Sequence, residues 1–534
     1  MRLVKASEMQ EMDRFTIEEV GIAGAVLMEN AARGATRVFL EHFDPPPNSR
    51  ILFLCGSGNN GGDGCVMARY LHQRAFGVSV LVLSELKKIA GDAFTNLRII
   101  QRMGVDVREV AGPEQWADCR GILEDADFIV DGILGTGLNS TVKGFYRRVI
   151  EEVNASPRPV MAIDIPSGLH ADSGAVMGAA VRADVTVTFG FPKLGQLLFP
   201  GAGLVGRLVR IDIGIPGNAS ERFPEEHRVI EARDISEALP KEEPDVHKGT
   251  RGHLLVLAGS PGKTGAAALT SLAALRAGAG LVTLGVPRSL NPILESKLTE
   301  AMTHPLPETE SGTLSLEAEG EILQLLEGKS ALAVGPGLST HKNTVLLVRR
   351  LVSLCPVPIV IDADGLNALA GDLAPLHSRQ GPAILTPHPG EMARLAGLRN
   401  SEVQADRVGL AARFAQDHRC YLVLKGARTI LAEPDGRIHV NPTGNPALAS
   451  GGSGDVLTGL LGGFLARGMP PGKAAMCGVY LHGLSADLLA EEMGKAGVLA
   501  GDLTEVIPSL MAAVSAREWP LQAAPMEKDF YYPL

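Results

Sequence analysis

Two glycine-rich stretches hold the residues best suited to chemistry. The first, Gly56-Ser57-Gly58-Asn59-Asn60-Gly61-Gly62-Asp63-Gly64, follows an apolar run and opens a helical one. Glycines at such a turn let the backbone approach a phosphate, whose charge the start of a helix stabilises. The stretch contains G-x-G-x-x-G by form, and Glu85 ends the next apolar run, where an acid would meet a ribose. A tight strand-to-helix turn explains the same glycines equally well. Two further loops favour a ligand: Asp131 leads into Gly135-Thr136-Gly137, and Asp164 into Ser167-Gly168. In an open α/β sheet, ligands collect beyond the carboxyl ends of the strands, so the three loops are expected to share one crevice. Asn60, Asp131 and Ser167 offer only oxygen, which suits a hard or alkali cation and not zinc or copper. Taken singly, Asp131 and Ser167 are also ordinary turn or capping residues.

The second stretch runs from Asn441-Pro442-Thr443-Gly444-Asn445 to Gly451-Gly452-Ser453-Gly454-Asp455. Its glycines expose N–H groups to an anion, and Asp455 in a first helical turn is placed to accept a proton from a substrate hydroxyl. An aspartate that merely complements the helix dipole is the plainer alternative. Lys425-Gly426-Ala427-Arg428-Thr429 brings two cations to where nucleotide phosphates would lie. Gly262-Lys263-Thr264 suggests a phosphate-binding P-loop, but Leu257 stands where that motif needs glycine. Residues 259–266 therefore read as a substrate-facing strand-to-helix turn.

The elements that must position these loops are legible as two series of apolar runs. RILFLCG, VSVLVLS, ADFIVDG, PVMAIDIP, ADVTVTFG and GRLVRIDIG alternate with helical stretches, which predicts a mostly parallel sheet covered on both faces. A polar, proline-punctuated connector follows, with the boundary near 217–227. A second series, HLLVLAGS to CYLVLKG, predicts another α/β unit, and Pro434-Asp435-Gly436 predicts a hairpin at its antiparallel edge. The fold class is thus α/β, a Rossmann-like three-layer domain over 1–218 and a second α/β domain over 227–515, with a tail at 516–534. Net charge of -10 without a basic run argues against nucleic acid and anionic membranes as partners. Glu8, Glu11 and Asp13 interrupt any secretory leader, so a cytoplasmic protein is expected. Six scattered cysteines without a C-x-x-C pair read as buried thiols.

At this level of detail the first half resembles the NAD(P)H-hydrate epimerases, through G-S-G-N-N-G-G-D-G, V-D-G-I-L-G-T-G-L, I-D-I-P-S-G and F-P-K-L-G. The resemblance implies K+ on Asn60, Asp131 and Ser167. It implies substrate contacts from Asn59, Asn60, Gly61, Gly62 and Asp63, from Gly135, Thr136, Gly137, Leu138, Asn139, Ser140 and Thr141, and from Asp164. Asp164 and Lys193 become the candidates for acid–base work.

The second half resembles ribokinase-like kinases and, among them, the ADP/ATP-dependent NAD(P)H-hydrate dehydratases. A-G-S, V-G-P-G-L, D-A-D-G-L-N, T-P-H-P-G-E, K-G-A-R-T and G-G-S-G-D carry the likeness. It implies contacts to hydrated nucleotide from Ala266, Gly337, His388 and Asp455, with Asp455 catalytic. It implies that Lys425, Gly426, Ala427, Arg428, Thr429 and Gly454 hold ADP, with Mg2+ between phosphates and Glu391 orienting the metal through water. The fusion then implies interconversion of both epimers of hydrated NAD(P)H and dehydration of the S form, with AMP and phosphate as products; a homo-oligomer is expected. A vitamin-precursor kinase and an RNA-associated scaffold are the alternative readings.

Overall fold

The computed structural model describes residues 1–240, 245 and 247–517, so the expected tail lies outside the described residues from 518 onward. Two compact units are present, Arg2–His227 and a second beginning at Arg228. The first holds β1 (Arg50–Cys55), β2 (Gly77–Val82), β3 (Asp106–Glu109), β4 (Phe128–Gly132), β5 (Val160–Ile163), β6 (Val185–Phe189) and β7 (Arg207–Ile211). Their order is β3-β2-β1-β4-β5-β6-β7, and every pairing is parallel.

The apolar runs are continuous because both sheet faces are covered. Ile51, Phe53 and Cys55 of β1 join the core made with α2 (Gly24–Phe43), α3 (Asn59–His72) and α4 (Gly91–Arg102). Leu52 and Leu54 alternate to the other face, against Trp116 of α5 (Pro113–Asp125) and Val149 of α6 (Gly144–Ala155). Each such buried side chain contributes roughly 1.5–3 kcal/mol. An additional helix, α1 (Ala6–Glu18), buries Met9 and Met12 in a small core with Phe191 and Ile215, which follow β6 and β7. This docking brings α1 to the carboxyl ends of the strands. The strand order reverses between β1 and β4, where a ligand crevice belongs.

The second unit holds β8 (His253–Leu257), β9 (Leu281–Pro287), β10 (Met302–Leu306), β11 (Ala331–Val334), β12 (Ile359–Ile361), β13 (Ala383–Leu385), β14 (Tyr421–Leu424), β15 (Ile430–Ala432) and β16 (Ile438–Val440). They run β16-β15-β14-β13-β12-β11-β8-β9-β10. The pairings from β14 to β10 are parallel, whereas β15 pairs antiparallel with both β14 and β16. The expected hairpin at Pro434-Asp435-Gly436 is therefore present, with Ile430 opposite Val440.

One face of this sheet shares a core with α7 (Thr264–Arg276), α10 (Ser453–Ala466), α11 (Pro471–Met493) and α12 (Ala500–Ser515); α8 (Pro389–Ala396) and α9 (Arg407–His418) lie between β13 and β14 in the chain. Helix α10 is buried throughout from Val456 to Ala466, so it is apolar on every side. It packs tightly on α7: a Cβ at Gly459 would lie 2.2 Å from Thr270 O, and one at Gly463 2.7 Å from Ala274 O. All six cysteines are buried free thiols. Among the described residues no helix is long and apolar enough to cross a membrane.

Candidate active sites

In the first unit, the glycine-rich loop satisfies both readings of its sequence. A Cβ at Gly56 would fall 2.0 Å from Ile133 O, and one at Gly61 2.1 Å from Gly56 O, so these glycines let the β1 loop close on the β4 loop. Gly58 and Gly137 instead face open space. Beyond the strand ends lies a cavity of about 570 Å3, lined by Asn59, Asn60, Asp63, residues 135–140, Asp164 and Lys193. Gly61, Gly62 and Thr141 do not line it. A Cβ at Gly62 would meet Met28 Cε at 2.8 Å, and Thr141 Cγ2 packs toward Gly178. Glu85 is also absent from the lining: its carboxylate turns to Lys87 and Lys88 at 2.6 and 2.9 Å, which removes it as a ribose acid.

Lys193 is 1% exposed, and its ammonium group spends its donors inside the site. Nζ pairs with Asp164 Oδ1 and donates to Thr188 Oγ1 at 3.0 Å and Phe189 O at 3.1 Å. Asp164 has φ of 62°, a left-handed backbone that is strained for a residue with a side chain. Gln196 Nε2 donates to its carbonyl at 2.6 Å and Phe189 N to its Oδ1 at 3.3 Å, which hold that conformation.

Behind the cavity wall, Asp131 and Ser167 are both 0% exposed. Asp131 accepts from Ser167 Oγ at 2.5 Å, Ser167 N at 2.8 Å and Ile133 N at 3.2 Å. These are neutral donors, and burial pushes the Asp131 carboxyl up to about 6. Asn60 Nδ2 donates to Leu134 O at 3.2 Å, while its Oδ1 is buried without a hydrogen-bond partner. An oxygen acceptor left unsatisfied near a buried carboxyl with only neutral donors fits a cation of low charge.

In the second unit, loops after β8, β11 and β12 meet. A Cβ at Gly337 would lie 3.2 Å from Ala266 Cβ, Ser260 Oγ donates to Gly337 O at 2.7 Å, and Lys263 Nζ donates to Asp364 Oδ2 at 3.0 Å. Lys425, Gly454 and Asp455 gather around a residue to which the sequence reading gave no role, Asp362. Lys425 Nζ donates to Asp362 Oδ1 at 2.7 Å and Thr458 Oγ1 to Oδ2 at 2.8 Å, and a Cβ at Gly454 would lie 3.5 Å from Lys425 Nζ. Burial, then the charge of Asp362, raises the Asp455 carboxyl to about 6.

The other expected residues are held in different ways. His388 caps α8, its Nδ1 accepting from Gly390 N at 3.0 Å and Glu391 N at 3.3 Å, which leaves Nε2 as the N–H donor. Burial lowers its pKa. Glu391 returns the cap by accepting from His388 N at 2.8 Å. The Arg428 guanidinium donates through Nη1 to Pro442 O, while its Nε is buried without a hydrogen-bond partner. A second residue without a sequence signal, Arg407, donates to the carbonyls of Ala427 at 2.9 Å and of Leu424 at 3.2 Å. It thereby folds the loop 425–429. The Asn441-to-Asn445 part of the glycine-rich stretch anchors α11, for Asn441 Nδ2 donates to Val479 O and Thr443 Oγ1 to Tyr480 O.

Polar clusters beyond both sheets define a two-part α/β enzyme, Rossmann-like in its first unit and ribokinase-like in its second. The family model described as YjeF-related protein N-terminus matches residues 24–195, and that described as NAD(P)H-hydrate dehydratase matches 254–509. A bifunctional NAD(P)H-hydrate repair enzyme of Moorella thermoacetica is 45% identical over 532 residues, covering 99% of this chain and 100% of its own. Its counterpart in Escherichia coli is 34% identical over 95% of this chain and 93% of its own. The crystal structure of an ADP/ATP-dependent NAD(P)H-hydrate dehydratase from Bacillus subtilis is 35% identical, covers 54% of this chain and 98% of its own, and has a TM-score of 0.48. The chain belongs to the family of bifunctional NAD(P)H-hydrate repair enzymes.

Proposed function

We propose that the chain restores hydrated NAD(P)H, the first unit interconverting its R and S epimers and the second dehydrating the S form at the expense of ADP. The observation that carries this reading is the presence in one chain of two distinct proton-handling clusters, Asp164 with Lys193 and Asp455 with Lys425 and Asp362.

In the first unit, the reacting carbon bears a hydroxyl beside the ring nitrogen. Moving that hydroxyl between faces requires proton transfer and stabilisation of a cationic or ring-opened intermediate. Asp164 takes up or returns the proton, and Lys193 pairs with its carboxylate and orients it. K+ fits against Asn60, Asp131 and Ser167, where it would neutralise the buried carboxylate and fix the β4 loop.

In the second unit, Asp455 takes the proton of the ring hydroxyl, and a carboxyl raised to about 6 suits a base working near neutral pH. The terminal phosphoryl of ADP passes to that oxygen. AMP is released, the carbon–oxygen bond then breaks, phosphate departs with the electron pair, and the neighbouring carbon gives up a proton to that phosphate to restore the double bond. Mg2+ would supply charge neutralisation between the nucleotide phosphates. Lys425 and the N–H groups of residues 426–429 and Gly454 receive the nucleotide, and Glu391, committed to its helix cap, is left a water-mediated role. Ala266, Gly337 and His388 contact the hydrated nucleotide in this reading. This reading places a homo-oligomer in the cytoplasm, and light scattering of the full chain checks the assembly.

The test is absorbance at the reduced-nicotinamide band as the chain acts on mixed epimers of hydrated NADH with Mg2+, K+ and either ADP or ATP. Full nucleotide-dependent recovery is expected, faster with ADP. A stable phosphorylated product instead would establish the kinase alternative.

A further inference from the structure

Asp13, like Asp92 and Tyr146, lines the first-unit cavity and has no part in the reading above. Asp13 lies on α1, ahead of the region matched by the first family model, which begins at residue 24. Met9, Asp13 and Ile17 recur four residues apart, so they form one helical face, and all three line the cavity. Beside it on α1, Met9 and Met12 pack with Phe191 and Ile215, and Gln10 also lines the cavity. A carboxyl there is costly unless it has a task or a partner. Yet Asp13 Oδ1 is buried without a hydrogen-bond partner.

Burial and the groups facing Asp13 explain its raised pKa. Asp63 of α3, Asp92 of α4, Tyr146 of α6, and Asp164 with Lys193 line the same cavity. Lys193 is the single cation among them, and its donors go to Asp164, Thr188 and Phe189. Burial is the largest influence on Asp13, and the pull of Lys193 only partly opposes it, so the carboxyl rises to about 6. The carboxyls of this cavity thus differ, Asp164 ion-paired to Lys193 and Asp13 raised by burial without a cation of its own, and such a difference is how acid and base roles are assigned to like groups.

Resting on the epimerase reading, we propose that Asp13 is a second acid–base residue of that reaction and meets the hydroxyl of the ring on the face opposite Asp164. The Asp13 carboxyl gives its proton to the hydroxyl. The carbon–oxygen bond breaks, water leaves with the electron pair, and the nitrogen lone pair forms the carbon–nitrogen double bond. A water on the other face adds to the same carbon and yields its proton to the Asp164 carboxylate. The net change is inversion, and solvent exchange returns the proton from Asp164 to Asp13. The reverse epimerisation uses the two residues in exchanged roles.

The test uses the full chain, Asp13→Asn and Asp13→Glu, with epimer interconversion followed by chromatography in water enriched in oxygen-18. In the unaltered chain, label should enter the hydroxyl at the rate of inversion, and that rate should fall as pH rises above the Asp13 range. Asp13→Asn should lose at least about 100-fold in inversion and label entry together, while dehydration of pure S epimer stays within twofold. Asp13→Glu should recover part of the rate with a displaced pH limb. Inversion by Asp13→Asn at half the unaltered rate or more, or the same pH limb in both variants, overturns the role. If Asp13→Asn does not fold, the Asp13→Glu limb and the label in the unaltered chain decide. An unaltered chain that dehydrates but never inverts defeats the epimerase reading itself, and this role with it.

Discussion

The two sites occupy equivalent places, beyond the carboxyl ends of a parallel sheet where strand order reverses, but they manage buried charge in opposite ways. In the first unit, Asp13, Asp63 and Asp164 share Lys193, and Asp131 is surrounded by neutral donors. In the second, Asp362 is matched by Lys425 and Thr458, so excess negative charge is concentrated on Asp455. The difference follows from what each must receive. A site that moves one proton within a cavity benefits from several carboxyls with separated affinities. A site that must accept phosphate charge needs its lysine fixed beforehand and one carboxylate left to react.

Substitutions can break this contrast, beginning with the strongest. Asp455→Asn should lower nucleotide-dependent dehydration by about 10²–10⁴-fold and leave epimerisation within twofold, as read from NADH recovery and epimer chromatography on the same sample. Loss of both activities would mean that the clusters are not separate. Lys193→Met should strand the Asp164 carboxylate and cost about 3–5 kcal/mol of first-unit stability, measured by urea unfolding. Replacing K+ by Li+ should slow inversion and not dehydration, and saturating K+ at a hundredfold over its Kd should add about 2.7 kcal/mol to unfolding. Asp362→Asn should release Lys425 and weaken ADP binding by about 1.5–3 kcal/mol, seen calorimetrically, without changing the epimerase.

The smallest effect concerns pH. Asp131 and Asp455 have folded pKa values near 6, above the ordinary 3.8, so the folded chain binds more protons than the unfolded chain between those values. Their contribution is fully present below pH 3.8 and is lost as pH rises through 6. Asp455→Asn should therefore be about 1–2 kcal/mol more stable than the unaltered chain at pH 8, with the gap closing toward pH 4. Equal urea midpoints at both ends would show that Asp455 carries no such strain.

Much of this arrangement was legible because its causes are local. Strands buried on both faces are written as unbroken apolar runs, and Pro434-Asp435-Gly436 announces its own turn. Loops at strand ends then follow from topology. What stayed hidden depends on distant packing. Asp13 sits in a helix far from any motif and read only as evidence against a leader; its significance arises when Met9 and Met12 dock α1 over the strand ends. Arg407 reaches carbonyls about twenty residues away in sequence, and no local pattern encodes that. Asp362 was visible in its motif, but its partnership with Lys425 and Thr458 is created by the sheet order. Glu85 shows the reverse error, a plausible position emptied by two adjacent lysines.

The close contact of α7 with α10 has a mechanical consequence for anyone redesigning the enzyme. With no room for even a methyl group at Gly459 or Gly463, the two helices act as a single strut, with Ala266 and Asp455 fixed at its working end. A larger substrate cannot be admitted by spreading that strut, so useful variation is confined to the loops that face it.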